Sequence, residues 1–166
     1  MLKNSLQDLW YFGIANIKNC FFPAIIFGSL AFSRLIAVPA IPRYDLLLLI
    51  CLFTQWWMIR KGIESLDELK VITVFHLMGL TMELFKVWKG SWAYPEDALT
   101  KFGGVPLYSG FMYASVASYL CQAWRRFNLQ LLNAPRRFES LVIAVLIYLN
   151  FFTHHYFYDL RWLLAV

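Results

Sequence analysis

The chain has 166 residues, of which 60% are hydrophobic, 19% aromatic and 15% charged. Soluble domains are about 45–50% apolar and about 25% charged, so 15 Lys and Arg with 10 Asp and Glu are too few to clothe a water-exposed surface, and the aromatic content excludes disorder. The net charge of +5 sits on no basic face interleaved with aromatics, which excludes nucleic acid as a partner and leaves an integral membrane protein as the expected class.

A helical span needs about 20 apolar residues, so the chain has room for about five spans and a partial sixth. A membrane barrel would instead show about 10-residue segments of alternating polarity, whereas continuous apolar blocks occur here. The expected fold is all-α: a polytopic transmembrane helical bundle, one domain over 1–166, with no internal repeat or low-complexity tract.

Residues 1–19 precede the first apolar block. Leu2, Leu6, Leu9, Ile14 and Ile17 recur near helical spacing, and Trp10 and Tyr11 suit headgroup depth, which predicts a helix along the cytoplasmic interface. Ala37-Val38-Pro39-Ala40 loosely mimics a signal-peptide cleavage site, but the 19-residue lead, the span-length block and Arg34 within it argue against cleavage. The first span is expected at about 20–39, with Pro23 tolerable in its first turn and Pro39 and Pro42 stopping it. The second, about 44–59, contains Asp45 and ends at Gln55-Trp56-Trp57 before Arg60 and Lys61. Ser65-Leu66-Asp67-Glu68 is a capping box that opens a third span at about 69–88.

In 89–104, Pro95 followed by Glu96 and Asp97 suits a first helical turn, so a short helix ended by Gly103-Gly104 is expected. Val105-Pro106 starts the fourth span, about 105–124, where Gly110, Ala114 and Ser118 repeat every four residues and Ala117 and Cys121 extend the row. Such a stripe lets helices approach closely. A fifth span, about 138–158, leads into 159–166, the start of a further apolar segment that either packs at the interface or is a truncated sixth span.

Short loops rich in Lys and Arg face the cytoplasm. With the N-terminus inside, nine of them (Lys3, Lys18, Arg60, Lys61, Lys70, Arg125, Arg126, Arg136, Arg137) lie inside and five (Arg43, Lys86, Lys89, Lys101, Arg161) outside. That predicts an N-terminus in the cytoplasm and membrane lipids as partners. Cys20, Cys51 and Cys121 imply neither a disulfide framework nor a thiolate metal site.

Ionisable groups within spans are the leading functional candidates. At about 1.5 Å per residue, Arg34, Glu83 and the pair His154-His155 lie at about 20–24 Å from the cytoplasmic ends of their spans, and Lys86, Glu96, Asp97 and Asp159 lie slightly further out. One layer near the outer face thus collects Arg34, Glu83, Lys86, His154, His155 and Asp159. Each also has a plain structural reading: Glu83 and Lys86 as an i,i+3 pair, Arg34 reaching the headgroups, and the His pair resting in an aromatic interface. Asn150 can share a face with His154, and His155 with Asp159. A metal centre would draw on His155, Asp159 and Glu83. His76 lies about 13 Å below the His pair, which disfavours a bis-His haem and predicts a buried histidine bonded to a neighbouring helix. No Walker loop, nucleophile elbow, zincin or desaturase histidine box occurs, so no cofactor is assigned.

Trp92-Ala-Tyr-Pro-Glu96, Gly104-Val-Pro-Leu-Tyr-Ser-Gly-Phe-Met-Tyr113, Trp124-Arg-Arg126, Tyr148-Leu-Asn-Phe-Phe-Thr-His-His155 and Asp159-Leu-Arg-Trp162 together resemble the YoaT-like family, best over 88–166. The resemblance implies a bacterial cytoplasmic-membrane helical bundle, further spans beyond residue 166, and no established activity, cofactor or catalytic residue. The Trp-x-Tyr-Pro-Glu loop before Val-Pro-Leu is also similar to integral-membrane carotenoid and isoprenoid enzymes, over too few residues to carry an activity.

The leading expectation is therefore an inner-membrane bundle with a polar pocket near its outer face for a lipid or isoprenoid-like amphiphile, lined by Arg34, Lys86, Trp92, Tyr94, Tyr113, Asn150 and His154. As an enzyme it would use Glu83, Glu96 or Asp97 as acid or base and His155-Asp159 as an oriented pair. As a transporter component it has only Gln55, His76 and Asn150 deeper in the membrane, and a homo-oligomer or missing C-terminal spans would have to complete the path. The third reading is a purely structural membrane subunit.

Overall fold

The computed structural model describes residues 2–35 and 41–165, with side chains from Ser5 onward. Among the described residues there are seven helices: α1 (Leu2–Asn19), α2 (Phe21–Phe32), α3 (Arg43–Arg60), α4 (Leu66–Trp88), α5 (Ser109–Arg126), α6 (Arg137–Thr153) and α7 (Arg161–Leu164). A two-stranded ribbon, β1 (Lys101–Phe102) and β2 (Val105–Pro106), pairs antiparallel with Phe102 opposite Val105. The chain divides into two compact units, Met1–Leu129 and Gln130–Val166.

In the first unit α5 is the central element, packed on α4, α2 and α1, while α2 also packs on α3. The expected small-residue stripe is buried there: Gly110, Ala114, Ala117 and Ser118 all lie inside. A Cβ on Gly110 would sit 2.7 Å from the His76 carbonyl oxygen on α4, and one on Gly79 of α4 would sit 2.3 Å from the Tyr113 ring. The two backbones approach this closely because both positions lack a side chain. Phe22, Ile26, Cys51, Met58, Ile72, Phe111, Ala114 and Ala117 form the main apolar core.

Where structure and expectation differ, local chemistry explains it. The first span, expected over 20–39, starts where expected, since α1 and α2 meet at a 60° bend between residues 19 and 21, but its helix α2 ends at Phe32. Pro23 has no N–H to give the Asn19 carbonyl four residues back, and the buried Asn19 side chain instead accepts from Arg126 Nε at 2.7 Å. Residues 36–40, including Pro39 and the cleavage-like Ala37-Val38-Pro39-Ala40, lie outside the described residues. The capping box forms as its motif predicts: Ser65 Oγ accepts from the Glu68 amide and Glu68 reaches back to the Ser65 amide.

The short helix expected at Pro95 is absent, and an extended loop closed by the ribbon takes its place. Asp45 accepts the Leu99 and Thr100 amides at 2.8 and 2.9 Å, together with the Thr100 hydroxyl, which holds this backbone out of a helix. Gly103 and Gly104 adopt φ of +56° and +81°, the left-handed pair that a two-residue hairpin turn requires.

Among the described residues, α4 alone is long and apolar enough to cross a membrane, and the bent α1–α2 pair passes the same test when taken together. At 18 residues α3 carries Arg43, Asp45 and Arg60, while α6 stops at 17 residues. The fifth span, expected to run to 158, ends at Thr153. Beyond it Asn150 staples the returning chain, donating from Nδ2 to the Tyr158 carbonyl at 3.1 Å and accepting the Leu160 amide at 2.8 Å. The three cysteines are free thiols.

Candidate functional site

The loop between α4 and β1 is drawn onto the start of α3. Arg43 donates two parallel hydrogen bonds to Glu96, Nε to Oε2 at 2.7 Å and an Nη to Oε1 at 2.6 Å, and a third to Ser33 Oγ at 3.3 Å. Lys101 Nζ donates to the Tyr94 carbonyl at 2.6 Å. Tyr44, Tyr94 and Tyr108 bring their rings together with centroids 5.4 to 6.4 Å apart, Tyr94 meeting the other two edge to face and Tyr44 and Tyr108 tilted at 37°.

Between these elements opens a groove of about 650 Å³. Arg34, Arg43 and Glu96 supply its charge, Trp92, Tyr94 and Tyr108 its aromatic wall, and Phe27, Leu30 and Met112 its apolar floor. Four residues picked from the sequence, Arg34, Trp92, Tyr94 and Glu96, therefore meet at one opening. Arg43, read from sequence only as a loop charge, is the residue that organises it. The Arg43 guanidinium holds the Glu96 carboxyl below the ordinary carboxylate range, with Arg34 and Lys101 adding to the effect. Glu96 is thus ionised at neutral pH. Arg34 is exposed on the rim and, among the described residues, has no carboxylate of its own.

Behind the wall lies Glu83, fully buried in α4. It accepts the Tyr113 hydroxyl at 2.6 Å and the Tyr94 hydroxyl at 2.9 Å, and Lys86 Nζ stands 3.7 Å away, the expected i,i+3 pair. Burial and the Glu83 carboxylate push the Tyr94 hydroxyl above its usual range, so it stays a donor. Lys86 also sits 4.3 Å over the Trp92 ring, a cation–π contact. Glu83, Lys86, Tyr94 and Tyr113 thus form one hydrogen-bonded and charge-paired set that fixes the groove wall. Asp97 is exposed on the same loop.

In the second unit the expected oriented pair does not form as a helical one. His155 and Asp159 would share a face only if α6 continued, and it ends at Thr153. Asp159 instead pairs with Arg161, Oδ2 to Nη at 2.6 Å and Oδ1 to Nε at 2.9 Å. That guanidinium holds the carboxyl well below the usual range. His154 Nδ1 lies 2.7 Å from the Phe151 carbonyl, and the His154 and His155 rings lie 4.0 Å apart. Among the described residues no three His, Cys, Asp or Glu are grouped to hold a metal ion.

Residues 8–166 match the family described as "Protein of unknown function (DUF817)". The chain belongs to the DUF817 family. It is similar to "Uncharacterized protein YoaT" of Bacillus subtilis (strain 168), 56% identical over 161 residues, which is 97% of this chain and 61% of that protein. The chain therefore spans about three fifths of the length of this curated relative. No solved structure matches.

Sequence reasoning missed one further polar centre of this DUF817 chain. Glu64, in the turn between α3 and α4, is 1% exposed and accepts from Gln55 Nε2, Ser118 Oγ and, at 3.3 Å, Gln122 Nε2. The turn that ends α3 drives it inward, with the Ile63 and Glu64 amides both donating to the Met58 carbonyl at 2.9 and 3.4 Å. The signal in the sequence was Gln122 four residues beyond Ser118 on α5: Ser118 reads as part of the packing stripe, and Gln122 is not singled out by it. His76, expected to be a buried, helix-bonded histidine, is half-buried: it packs 4.5 Å from the Phe111 ring, and its Nδ1 is shielded from solvent without a protein partner.

Proposed function

We propose that this chain belongs to a multi-pass bacterial inner-membrane protein that binds an amphiphile, lipid or isoprenoid-like, in the groove between α2, α3 and the 89–104 loop. The observation that carries the reading is the groove itself. Its aromatic and aliphatic wall suits a hydrocarbon or prenyl chain, and the rim cation Arg34, beside an Arg43 already neutralised by Glu96, suits an anionic headgroup. A membrane setting is supported by the apolar side chains exposed along α4, among them Val71, Val74, Leu77 and Met78, and along α3, among them Leu49, Leu52, Phe53 and Trp56. Groups of that size left facing outward favour hydrocarbon over water as the surrounding medium. The Lys and Arg asymmetry supports an N-terminus in the cytoplasm and, with it, a groove on the outer side.

The acid–base alternative draws less support. Glu83 has three partners, and Glu96 and Asp159 each face a guanidinium.

The test is lipid analysis by mass spectrometry on the full-length protein purified in mild detergent. An anionic amphiphile near stoichiometric amount is expected to co-purify with the wild type and to be depleted in Arg34→Glu, with abundance unchanged. A lipid profile identical between wild type, Arg34→Glu and Trp92→Ala would overturn the reading.

A further inference from the structure

We propose that Glu64, Gln55, Ser118 and Gln122 form a buried site for one small positive charge, taken up as Na+ or as a proton. The site is separate from the groove and does not depend on the amphiphile reading. Glu64 precedes the N-terminus of α4, whereas Glu83 follows 19 residues later, about 28 Å along a helix.

The argument is an accounting of partners. Gln55, Glu64, Ser118 and Gln122 are 7%, 1%, 0% and 1% exposed, so each is at least nine-tenths removed from solvent. A carboxylate so placed is costly unless a positive charge meets it, and its three partners here are neutral donors. The surrounding charges are engaged elsewhere. Arg125 on α5 lies 3.4 Å from Glu68 on α4 and donates to the Ile63 carbonyl at 2.6 Å. Arg126 is bonded to Asn19, Arg60 and Lys61 at the end of α3 are exposed, and Cys121 is a nearby thiol.

Meanwhile the Oε1 atoms of Gln55 and Gln122 are buried without a hydrogen-bond partner. Each shares its carbon with the nitrogen bonded to Glu64, so each lies within one amide rotation of the carboxylate. Such orphaned acceptors are rare and need a partner. One positive charge offsets the carboxylate in either form, and the two forms differ in how many of these oxygens they satisfy. A proton on Glu64 turns the carboxyl into a donor for one of these oxygens. Na+ would instead draw both amide oxygens, the Ser118 hydroxyl and the carboxylate around it, four hard oxygen donors of the kind small hard cations take. With one formal negative charge in the set, a monovalent ion is balanced and a divalent one is not. Burial also pushes the Glu64 carboxyl above its ordinary range, in keeping with proton uptake.

The test is thermal melting of the full-length protein in detergent, wild type beside Glu64→Gln, in two arms at constant ionic strength. In the first, at pH 8.5, choline chloride is replaced by 100 mM NaCl. A site with a dissociation constant near 10 mM raises the wild-type melting temperature by on the order of 3 °C and leaves Glu64→Gln unmoved. In the second, pH is raised from 5 to 8 in choline. A carboxyl whose folded value is raised contributes stability below its unfolded value of about 4.3 that is lost as pH climbs through the folded value, so the wild type loses stability relative to Glu64→Gln. A shift in the first arm identifies Na+, and a shift in the second alone identifies the proton. Coincident behaviour of wild type and variant in both arms overturns the proposal. If Glu64→Gln does not fold, Ser118→Ala and Gln122→Leu replace it, and shifts unchanged in both of these overturn it equally.

Discussion

The Tyr113 hydroxyl on α5 donates to the Glu83 carboxylate on α4 across 2.6 Å, and it reaches there because its ring lies against the bare backbone of Gly79, one turn earlier. This contact joins the tightest helix pair of the first unit to the wall of the groove, since Glu83 also holds Tyr94.

Gly79→Ala is therefore expected to force the α4–α5 interface apart. The added Cβ meets the Tyr113 ring carbons at 2.3 Å, and overpacking of this kind costs about 1–3 kcal/mol. Tyr113→Phe keeps the ring and removes one donor to a buried carboxylate, at about 1.5–3 kcal/mol. Denaturant unfolding of both variants in detergent checks the pair. A Gly79→Ala protein as stable as the wild type contradicts the close approach.

Asp45→Ala is expected to release the 89–104 loop while sparing α3. The Leu99 and Thr100 amides lose their acceptor in a part-buried setting, a loss of about 1–3 kcal/mol. Hydrogen exchange at these two amides is expected to rise by about 10- to 100-fold, with the Trp92 and Tyr94 contacts loosened alongside. Unchanged exchange there contradicts the anchoring role.

The Arg43–Glu96 pair has a defined pH signature. Because Arg43 lowers the Glu96 value, the stabilisation is present above the ordinary carboxylate value of about 4.3 and is lost as pH falls through the depressed folded value. Glu96→Gln is expected to flatten the acid limb of loop protection measured by limited proteolysis. The effect is small, since the pair is partly exposed and screened by salt. An acid limb of equal steepness in the variant contradicts the pairing.

The helices, the capping box at Ser65 and the small-residue face of α5 were legible in the sequence, because each is set by neighbours within a few residues: apolar periodicity, a side chain reaching its own backbone, glycine and alanine at spacing four. The family was legible from runs such as Trp92–Glu96 and Tyr148–His155. The helix expected at Pro95 failed because Asp45, more than fifty residues away, takes the amides that a helical turn needs. The helical pairing of His155 with Asp159 failed because Asn150 bonds the returning chain at Tyr158 and Leu160. Local composition settles where a helix is favourable. Which carboxylate meets which donor depends on segments that sequence distance keeps apart, so the Arg43–Glu96 clasp, the burial of Glu83 under two tyrosines and the inward turn of Glu64 were decided only when tertiary packing brought those segments into contact.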